Sequence, residues 1–171
     1  MFTGLKKGAA TMNLTLVVAM TSDHVIGHEG KIPWKLPEDL NLFRELTWGG
    51  VVIMGRNTWS SIGRPLEGRA NLVVSQTLPA TEGIVVCPTL PYALETAKRL
   101  GKQAFIIGGE QIYREALPLA NSLVISYVEG NFVGDRHFPE LDLEIWGMVR
   151  QENYLGFARK FYRRRAEETS N

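Results

Sequence analysis

Short apolar runs recur along the chain and predict the strands of a buried sheet. Leu14–Met20 reads LTLVVAM, and residues 51–54 read VVIM. Near-continuous apolar runs of this length are typical of strands that are covered on both faces. Similar short runs predict further strands at residues 71–75, 84–87, 104–107 and 123–128, followed by an antiparallel pair at residues 144–154 and 157–165.

Helical spacing of apolar residues fills the intervals between these strands. Pro37 suits the first position of a helix over residues 37–46, because its missing N–H would have no partner there. Three more helices are predicted, from residue 57 or 58 to Gly63, over residues 91–100 and over Glu110–Ala116. This alternation indicates one α/β domain with a central, mostly parallel eight-stranded sheet, four flanking helices and an antiparallel C-terminal strand.

Two segments fall outside this pattern. Residues 21–35 carry Gly27, Gly30 and Pro33 as turn signals and are predicted to form a long loop. A loop of that length in a compact domain is usually functional or disordered. Residues 1–11 are expected to be a flexible extension of the domain, which would comprise residues 12–171.

Composition narrows the classes of protein to which the chain can belong. The 171 residues include 19 basic and 18 acidic side chains, so net charge gives no argument for a polyanionic partner. No apolar run approaches the roughly 18 residues that cross a membrane. Cys87 is the only cysteine, which excludes an internal disulfide and fits a reducing cytoplasm. We therefore expect a cytoplasmic protein with no nucleic-acid or membrane partner.

One acidic residue lies on an otherwise apolar helix face. Asp39 shares that face with Leu36, Leu40 and Phe43, at helical spacing. A carboxylate in such a place is costly unless a partner hydrogen-bonds it. Glu38 and Asp39 could both simply complement the positive end of the helix dipole. We keep that interpretation for Glu38, whereas motifs elsewhere in the chain favour a functional role for Asp39.

Two strand-to-helix junctions have the chemistry of an anion site. At residues 54–58 (MGRNT), a glycine turn leads into a helix that Asn57 or Thr58 would cap, and Arg56 adds a positive charge. At residues 106–113 (IIGGEQIY), two glycines let the backbone approach a phosphate closely. Each junction alone could be an ordinary capped helix or a tight turn. Together, at one edge of a parallel sheet, they could hold the two ends of a dinucleotide.

A third element is the loop at residues 63–69 (GRPLEGR), which offers Arg64 and Arg69. Arginine suits bidentate binding of a carboxylate, although such a loop could also be merely solvated.

The three histidines of the chain have no metal-ligand spacing, so no metal site is predicted.

Together these motifs resemble the dihydrofolate reductases of the bacterial chromosomal type. The resemblance runs from about Leu14 to Arg164, in the family's order and spacing. It is carried by residues 25–27 (VIG), 32–39 (IPWKLPED), 53–59 (IMGRNTW), 61–66 (SIGRPL), 107–113 (IGGEQIY) and 134–139 (GDRHFP). It implies reduction of 7,8-dihydrofolate to 5,6,7,8-tetrahydrofolate with NADPH, by hydride transfer to C6 and protonation at N5. That reaction supports one-carbon metabolism, and with it we expect a monomer that antifolate inhibitors bind.

On the substrate side, the resemblance gives Asp39 the central role. Its carboxylate would accept hydrogen bonds from a ring N–H and the exocyclic amino group of the pterin, and burial should raise its pKa. Ser126, where the family usually has threonine, would hydrogen-bond Asp39, and Arg69 would pair with the glutamate α-carboxylate. Trp34 would line the pocket and hold a water. The expected apolar walls are Ala19, Ile32, Leu40, Phe43, Ile62 and Leu66, and the expected catalytic set is Ile32, Trp34, Asp39 and Tyr113.

On the cofactor side, the resemblance implies that Arg56, with Ser75 and Gln76, surrounds the adenosine 2′-phosphate. Thr58 and the pair Gly108-Gly109, which the family joins through a cis peptide bond, would take the pyrophosphate. The full predicted set is Ala19, Ile26, Gly27, Gly55, Arg56, Asn57, Thr58, Ser75, Gln76, Gly108, Gly109, Glu110, Gln111, Ile112 and Tyr113.

Three further expectations concern the edges of this cofactor site. The carboxylate of Glu110 must point away from a neighbouring phosphate. Tyr113 would lie near the nicotinamide. The loop at residues 21–35 would act as a lid that excludes water during hydride transfer.

Two other functions are open at this point. A pyrimidine reductase of riboflavin synthesis is similar at the cofactor edge, but it has no use for Asp39 as a pterin anchor or for Arg69 as a carboxylate clamp. A nucleotide-binding module without catalysis would need Arg56 and the junction at Gly108, but neither Asp39 nor the lid.

Overall fold

The fold is described from a computed structural model, for residues 13–166 of the chain. The predicted extension at residues 1–11 lies outside the described residues. Within residues 13–166, no helix is long and apolar enough to cross a membrane.

Eight strands form the central sheet: β1 Leu14–Met20, β3 Val51–Gly55, β4 Ala70–Val74, β5 Val85–Cys87, β6 Ala104–Ile106, β7 Ser122–Val128, β9 Trp146–Tyr154 and β10 Phe157–Arg164. They lie in the order β5-β4-β3-β6-β1-β7-β10-β9. Neighbours from β5 to β7 are parallel, whereas β10 pairs antiparallel with both β7 and β9. The predicted sheet of eight strands with an antiparallel C-terminal edge is therefore confirmed.

Four α-helices accompany the sheet in residues 13–166, as predicted. They are α1 Pro37–Thr47, α2 Arg56–Ile62, α3 Leu90–Leu100 and α4 Glu110–Ala116, and a short 3-10 helix follows at Leu117–Leu119. Proline occupies the first turn of α1 and of α3, where a missing N–H costs nothing. Gly63 and Gly101 end α2 and α3 in the left-handed conformation that glycine adopts without strain.

The predicted start of the second helix was wrong. The helix begins at Arg56, and neither Asn57 nor Thr58 caps it; Gly55 holds the cap position without a side-chain hydrogen bond. Gly55 also ends β3, and its N–H donates to the carbonyl of Gly108 at 2.8 Å. Because Gly55, the last residue of β3, is still hydrogen-bonded, the chain passes directly from the sheet into the helix.

The predicted loop at residues 21–35 contains a short strand that the pattern did not reveal. Val25–Gly27 (β2) pairs antiparallel with Arg136–His137 (β8) in a separate two-stranded sheet. Strands of two or three residues are too short to show a periodic pattern. The strand expected at residues 144–154 also starts later, because the N–H groups of Ile145 and Trp146 both donate to the carbonyl of Asp142 in a turn.

Both faces of the central sheet are buried. Val51 and Ile53 pack in one apolar cluster, and their neighbours Val52 and Met54 pack in a second cluster. This alternation follows from the side-chain geometry of a strand, which points successive residues to opposite faces. The carboxyl ends of β1, β3 and β6 therefore open on one edge of a rigid sheet, which is where ligands bind in folds of this type.

Candidate active site

A cleft of about 1990 Å³ crosses this edge of the sheet. It is lined by residues of β1, the segment at residues 21–35 that is predicted to be a lid, α1, α2 and the junction between β6 and α4. All of the predicted substrate-binding and cofactor-binding residues lie on its walls, as do Ile32 and Tyr113 of the expected catalytic set. The fold thus brings together residues that are more than a hundred positions apart in sequence, such as Ala19 and Ser126.

Trp34 is not among the residues that line the cleft, and its role beside the ligand stays a prediction. Its ring packs edge-on against Phe132, with 5.4 Å between ring centroids. Such aromatic pairing stabilises both rings, so the side chain supports the loop beside the cleft.

The helix face that carries Asp39 forms a wall of this cleft. Leu40 is 61% exposed, and Leu36 and Phe43 are half-buried. The predicted apolar stripe thus exists, but it faces an open cleft instead of packing into the core. Exposed apolar side chains beside one carboxylate are suited to a flat, partly apolar ligand.

Asp39 itself is held by β7. The hydroxyl of Ser126 donates to its Oδ1 at 2.6 Å, which confirms the predicted hydrogen bond. Burial raises the pKa of Asp39 above its ordinary value, while the bond from Ser126 and the positive charge of Arg159 act in the opposite direction. The rise expected from the sequence is confirmed in direction.

The arginine expected to bind a carboxylate lies at one end of the cleft. Arg69 donates from Nε to the carbonyl of Glu67 at 2.9 Å and from Nη1 to the hydroxyl of Thr47 at 3.1 Å. Its guanidinium also lies over the rings of Phe43 and Trp48. Burial, and then the nearby charge of Arg44, lower the pKa of Arg69 while Glu67 opposes this change. These contacts fix a cation in place, with Arg44 as a second cation on the same wall.

The loop that carries Arg69 is shaped by two contacts. Asn71 accepts from the N–H of Leu66 at 2.8 Å and donates to the carbonyls of Leu66 and Arg69, both at 2.9 Å. Gly68 has a φ of +78°, and a Cβ there would lie 2.4 Å from the ring of Trp48. Only glycine fits this turn, which explains the motif at residues 63–69.

Arg56 lines the cleft with Ser75 and Gln76 at the carboxyl end of β4, whereas Arg69 precedes the amino end of that strand. Its guanidinium donates to the hydroxyl of Thr77, a partner that the sequence did not indicate. The hydroxyl of Ser75 accepts the N–H groups of Thr77 at 3.2 Å and Leu78 at 3.0 Å. Serine commonly builds turns in this way, and here the turn places Thr77 beside Arg56.

The junction at Gly108-Gly109 contains a cis peptide bond, as predicted. A Cβ on either glycine would lie 3.4 Å from Oγ1 of Thr58, so the two predicted cofactor-binding elements are in contact. The carboxylate of Glu110 accepts the N–H of His137 at 2.8 Å. This hydrogen bond ties the carboxylate to β8.

Tyr113 is buried beneath this junction. Its hydroxyl donates to the carbonyl of Val17 at 2.7 Å, and its ring packs edge-on against Phe138. Burial raises the pKa of Tyr113 far above its ordinary value. The side chain is therefore a neutral support for the cleft floor near neutral pH.

The lid loop is tied to the body of the protein at several points. The N–H of Asp135 donates to the carbonyl of Gly27 at 3.0 Å, and the carboxylate of Asp135 accepts the N–H of Glu29 at 3.1 Å. The hydroxyl of Ser61 in α2 donates to the carbonyl of Gly30 at 3.3 Å. These bonds position Ile26, Gly27 and Ile32 along the cleft.

Sequence reasoning missed Arg159, which lines the cleft and acts on Asp39. The chain carries five basic residues between positions 159 and 165, and alternation along a strand could explain them, so no single arginine stood out. In the described residues 13–166, no group of three or more histidine, cysteine, aspartate or glutamate side chains could hold a metal ion.

Comparisons with known proteins give one consistent result. A sequence model of the dihydrofolate reductase family matches residues 13–164. The dihydrofolate reductase type 3 of Salmonella typhimurium is 45% identical over 130 residues, which cover 75% of this chain and 80% of that protein. The dihydrofolate reductase of Bacillus subtilis is 39% identical over 141 residues, with 81% and 83% of the two chains covered. Among solved structures, a dihydrofolate reductase from Enterococcus faecalis complexed with NADP(H) and RAB-propyl superimposes with a TM-score of 0.85 at 29% identity, covering 90% of this chain and 97% of that one.

Proposed function

Because this chain belongs to the dihydrofolate reductase family, we propose that Asp39 holds the pterin of dihydrofolate while the two glycine junctions hold NADPH. The protein reduces 7,8-dihydrofolate to 5,6,7,8-tetrahydrofolate with NADPH, a reaction of one-carbon metabolism. The observation that carries the proposal is the half-buried carboxylate of Asp39, fixed by Ser126 in the wall of the cleft.

The hydrogen-bonding capacity of Asp39 matches the edge of a pterin. An ionised carboxylate only accepts hydrogen bonds, at about four lone-pair positions. Ser126 uses one of them, so the others can accept a ring N–H and the adjacent exocyclic amino group. Two charge-assisted bonds from one rigid side chain would fix both the position and the rotation of the ring.

Bound NADPH supplies the hydride for C6 of the substrate. Asp39 orients and polarises the pterin, and the proton for N5 reaches the ring through water. Ile32, which is 58% exposed and lines the cleft, would cover the bound ligands. Exclusion of bulk water strengthens the electrostatic contacts made by Asp39 during transfer.

Arg69 and the apolar walls would hold the rest of the substrate. The guanidinium of Arg69 is fixed by Thr47 and by the carbonyl of Glu67, so it is preorganised for the glutamate α-carboxylate. The apolar surface between Asp39 and Arg69 suits the pterin and benzoyl rings. It consists of Ala19, Ile32, Leu40, Phe43, Ile62 and Leu66.

The residues at the other end fit the polar parts of NADPH. Arg56, with Ser75, Gln76 and Thr77 nearby, would bind the adenosine 2′-phosphate, which favours NADPH over NADH. The hydroxyl of Thr58 and the open backbone of Gly108-Gly109 would bind the pyrophosphate, since no Cβ fills that space.

The remaining expectations stay part of this proposal. One chain provides every group named above, so we propose a monomer, and its location is proposed to be the cytoplasm. Flat antifolate inhibitors with paired N–H donors are expected to compete for Asp39.

The decisive assay follows the oxidation of NADPH by absorbance. We expect oxidation that depends on dihydrofolate. The same assay with a pyrimidine intermediate of riboflavin synthesis, or with no second substrate, should show none. Oxidation with the pyrimidine alone would favour the related reductase, and cofactor binding without any turnover would favour a nucleotide-binding module.

A further inference from the structure

A second charged side chain reaches the wall of the cleft near Asp39. Arg159 lies on β10, directly opposite Ser126 of β7 in the antiparallel register. Ser126 is the residue that hydrogen-bonds Asp39. The side chain of Arg159 is only 12% exposed, and it lines the cleft together with both of them.

Arg159 is fixed in place by its neighbour on the other side. Nε and Nη2 donate to the same oxygen of Glu152, at 3.0 and 2.8 Å. The hydroxyl of Tyr154 donates to that oxygen too, at 3.0 Å, and the guanidinium lies over the ring of Phe161. Burial works against ionisation of Glu152, but the hydrogen bonds from Arg159 and Tyr154 lower its pKa overall. The pair Glu152–Arg159 therefore holds a nearly buried cation at a defined position.

We propose that Arg159 is a positioning residue for the reduction: its anchored positive charge stabilises the carboxylate form of Asp39 and so sets the pH range of turnover. This inference rests on the role proposed above for Asp39. A fixed cation next to a partly buried carboxylate favours the charged form, whereas burial favours the neutral form. Arg159 and Ser126 therefore both oppose the effect of burial on the Asp39 carboxyl.

The charged groups around this cluster are few in the described part of the chain. Asp39 is influenced by Ser126 of β7 and Arg159 of β10. Arg159 in turn faces Glu152 and Tyr154 of β9. Glu152 also forms an ion pair with Arg150, whose Nη2 lies 3.5 Å from Oε2 of Glu152.

Arg150 provides a matched control. Like Arg159, it pairs with Glu152 and lies over the ring of Phe161, at 4.0 Å from the centroid. Its side chain, however, is 59% exposed, and it is not among the residues that line the cleft. Removing either arginine perturbs the same local cluster, but only Arg159 lies where its charge acts on Asp39.

The test is a titration of the Asp39 carboxyl carbon by ¹³C NMR, with the resonance identified by its absence in Asp39→Asn. We expect Arg159→Met to move the titration midpoint to higher pH, and Arg150→Met to leave it near wild type. Arg159→Lys should retain most of the wild-type midpoint, because it keeps the charge but loses the double hydrogen bond. Glu152→Gln should move the midpoint to lower pH, since the cation is no longer neutralised.

Several results would overturn the inference. Equal midpoints in Arg159→Met and Arg150→Met would show that the charge does not act on Asp39. A shift as large in Arg159→Lys as in Arg159→Met would assign the effect to packing. If the methionine variant does not fold, an unchanged midpoint in Glu152→Gln also refutes the role.

The pH profile of turnover separates this inference from the proposed function. The proposed function uses ionised Asp39 as the acceptor for the pterin N–H groups, so we expect turnover to fall as pH drops through the Asp39 titration, and to do so at higher pH in Arg159→Met. If the NMR midpoint moves but the rate profile does not, the charge acts on Asp39 and the role proposed for Asp39 is wrong. If neither moves while Asp39→Asn is inactive, only the role of Arg159 is wrong.

Discussion

The hydroxyl of Ser126 donates a hydrogen bond of 2.6 Å to the carboxylate of Asp39, and this bond links the central sheet to helix α1. Ser126 is buried in the sheet, whereas Asp39 faces the cleft. The bond therefore fixes a carboxylate on a helix against the most rigid part of the protein. The predictions below test what that carboxylate, and the groups at either end of the cleft, contribute.

Replacement of Asp39 by asparagine should lower the rate of hydride transfer at neutral pH by about 10² or more, the scale usual for a positioned acid–base group. Asparagine keeps the size of the side chain but offers an N–H₂ group where the pterin needs an acceptor. Single-turnover oxidation of NADPH measures this step. Glu38→Gln is the control, because Glu38 is exposed on the same helix turn; a rate for Asp39→Asn within a few-fold of wild type would discredit the role of Asp39.

The same substitution should stabilise the protein at neutral pH. Burial raises the pKa of Asp39 in the folded state above its ordinary value of 3.8, so the folded protein holds the proton more tightly than the unfolded chain. Ionised Asp39 thus disfavours folding above the folded-state pKa, and this cost is absent below about pH 3.8. Thermal melts over pH should show a higher Tm for Asp39→Asn near pH 7, with the difference shrinking toward acid pH; a lower Tm near pH 7 would contradict this.

Arg69→Ala should weaken the binding of dihydrofolate by about 1.5–3 kcal/mol, as expected for loss of a hydrogen bond to a charged group. The affinity for NADPH should stay unchanged, because Arg69 lies at the other end of the cleft from Arg56. Titration calorimetry with each ligand measures both. Arg64→Ala in the same loop is the control, and an equal loss in that variant would mean that general charge, not Arg69, attracts the substrate.

Arg56→Ala should narrow the preference for NADPH over NADH. Arg56 is the guanidinium that lies with Ser75, Gln76 and Thr77 at one end of the cleft, and NADH has no 2′-phosphate for it to bind. The ratio of kcat/KM for the two cofactors reports the effect. Arg114→Ala, on helix α4 and not among the residues that line the cleft, should leave the ratio unchanged; a constant ratio in Arg56→Ala would assign the discrimination to another group.

Tyr113→Phe should lower the free energy of unfolding by about 1–3 kcal/mol, the cost of leaving a buried polar group unpaired. The phenylalanine ring fills the same space, but the carbonyl of Val17 loses its donor. Chemical denaturation measures the change. Tyr92→Phe, at an exposed site on α3, should cost almost nothing; equal losses in the two variants would contradict the supporting role of Tyr113.

Features that depend on local pattern could be predicted from the sequence. Apolar runs such as Leu14–Met20 identified the central strands, and the glycine pair at Gly108 identified a junction. The two short strands β2 and β8 could not be found, because their pairing depends on tertiary contacts between the lid and residues 135–138. Strands of two or three residues are also too short to produce a periodic pattern of apolar residues.

The same difference between local pattern and tertiary contact decides which site residues could be predicted. Asp39 and Arg69 could be placed because their motifs are local, and the bond from Ser126 followed from the resemblance. Arg159 could not be placed, since its proximity to Asp39 depends on the register between β7 and β10. The contact between Trp34 and Phe132 could not be predicted either, because Phe132 lies about a hundred residues later in the chain.

The most direct test is a structure of the protein crystallised with dihydrofolate and the oxidised cofactor NADP⁺. The account predicts that both oxygens of Asp39 lie within hydrogen-bond distance of the pterin, one facing a ring N–H and the other the exocyclic amino group, with Ser126 still bonded to the carboxylate. A pterin bound elsewhere in the cleft, with the Asp39 carboxylate in contact only with water, would contradict it.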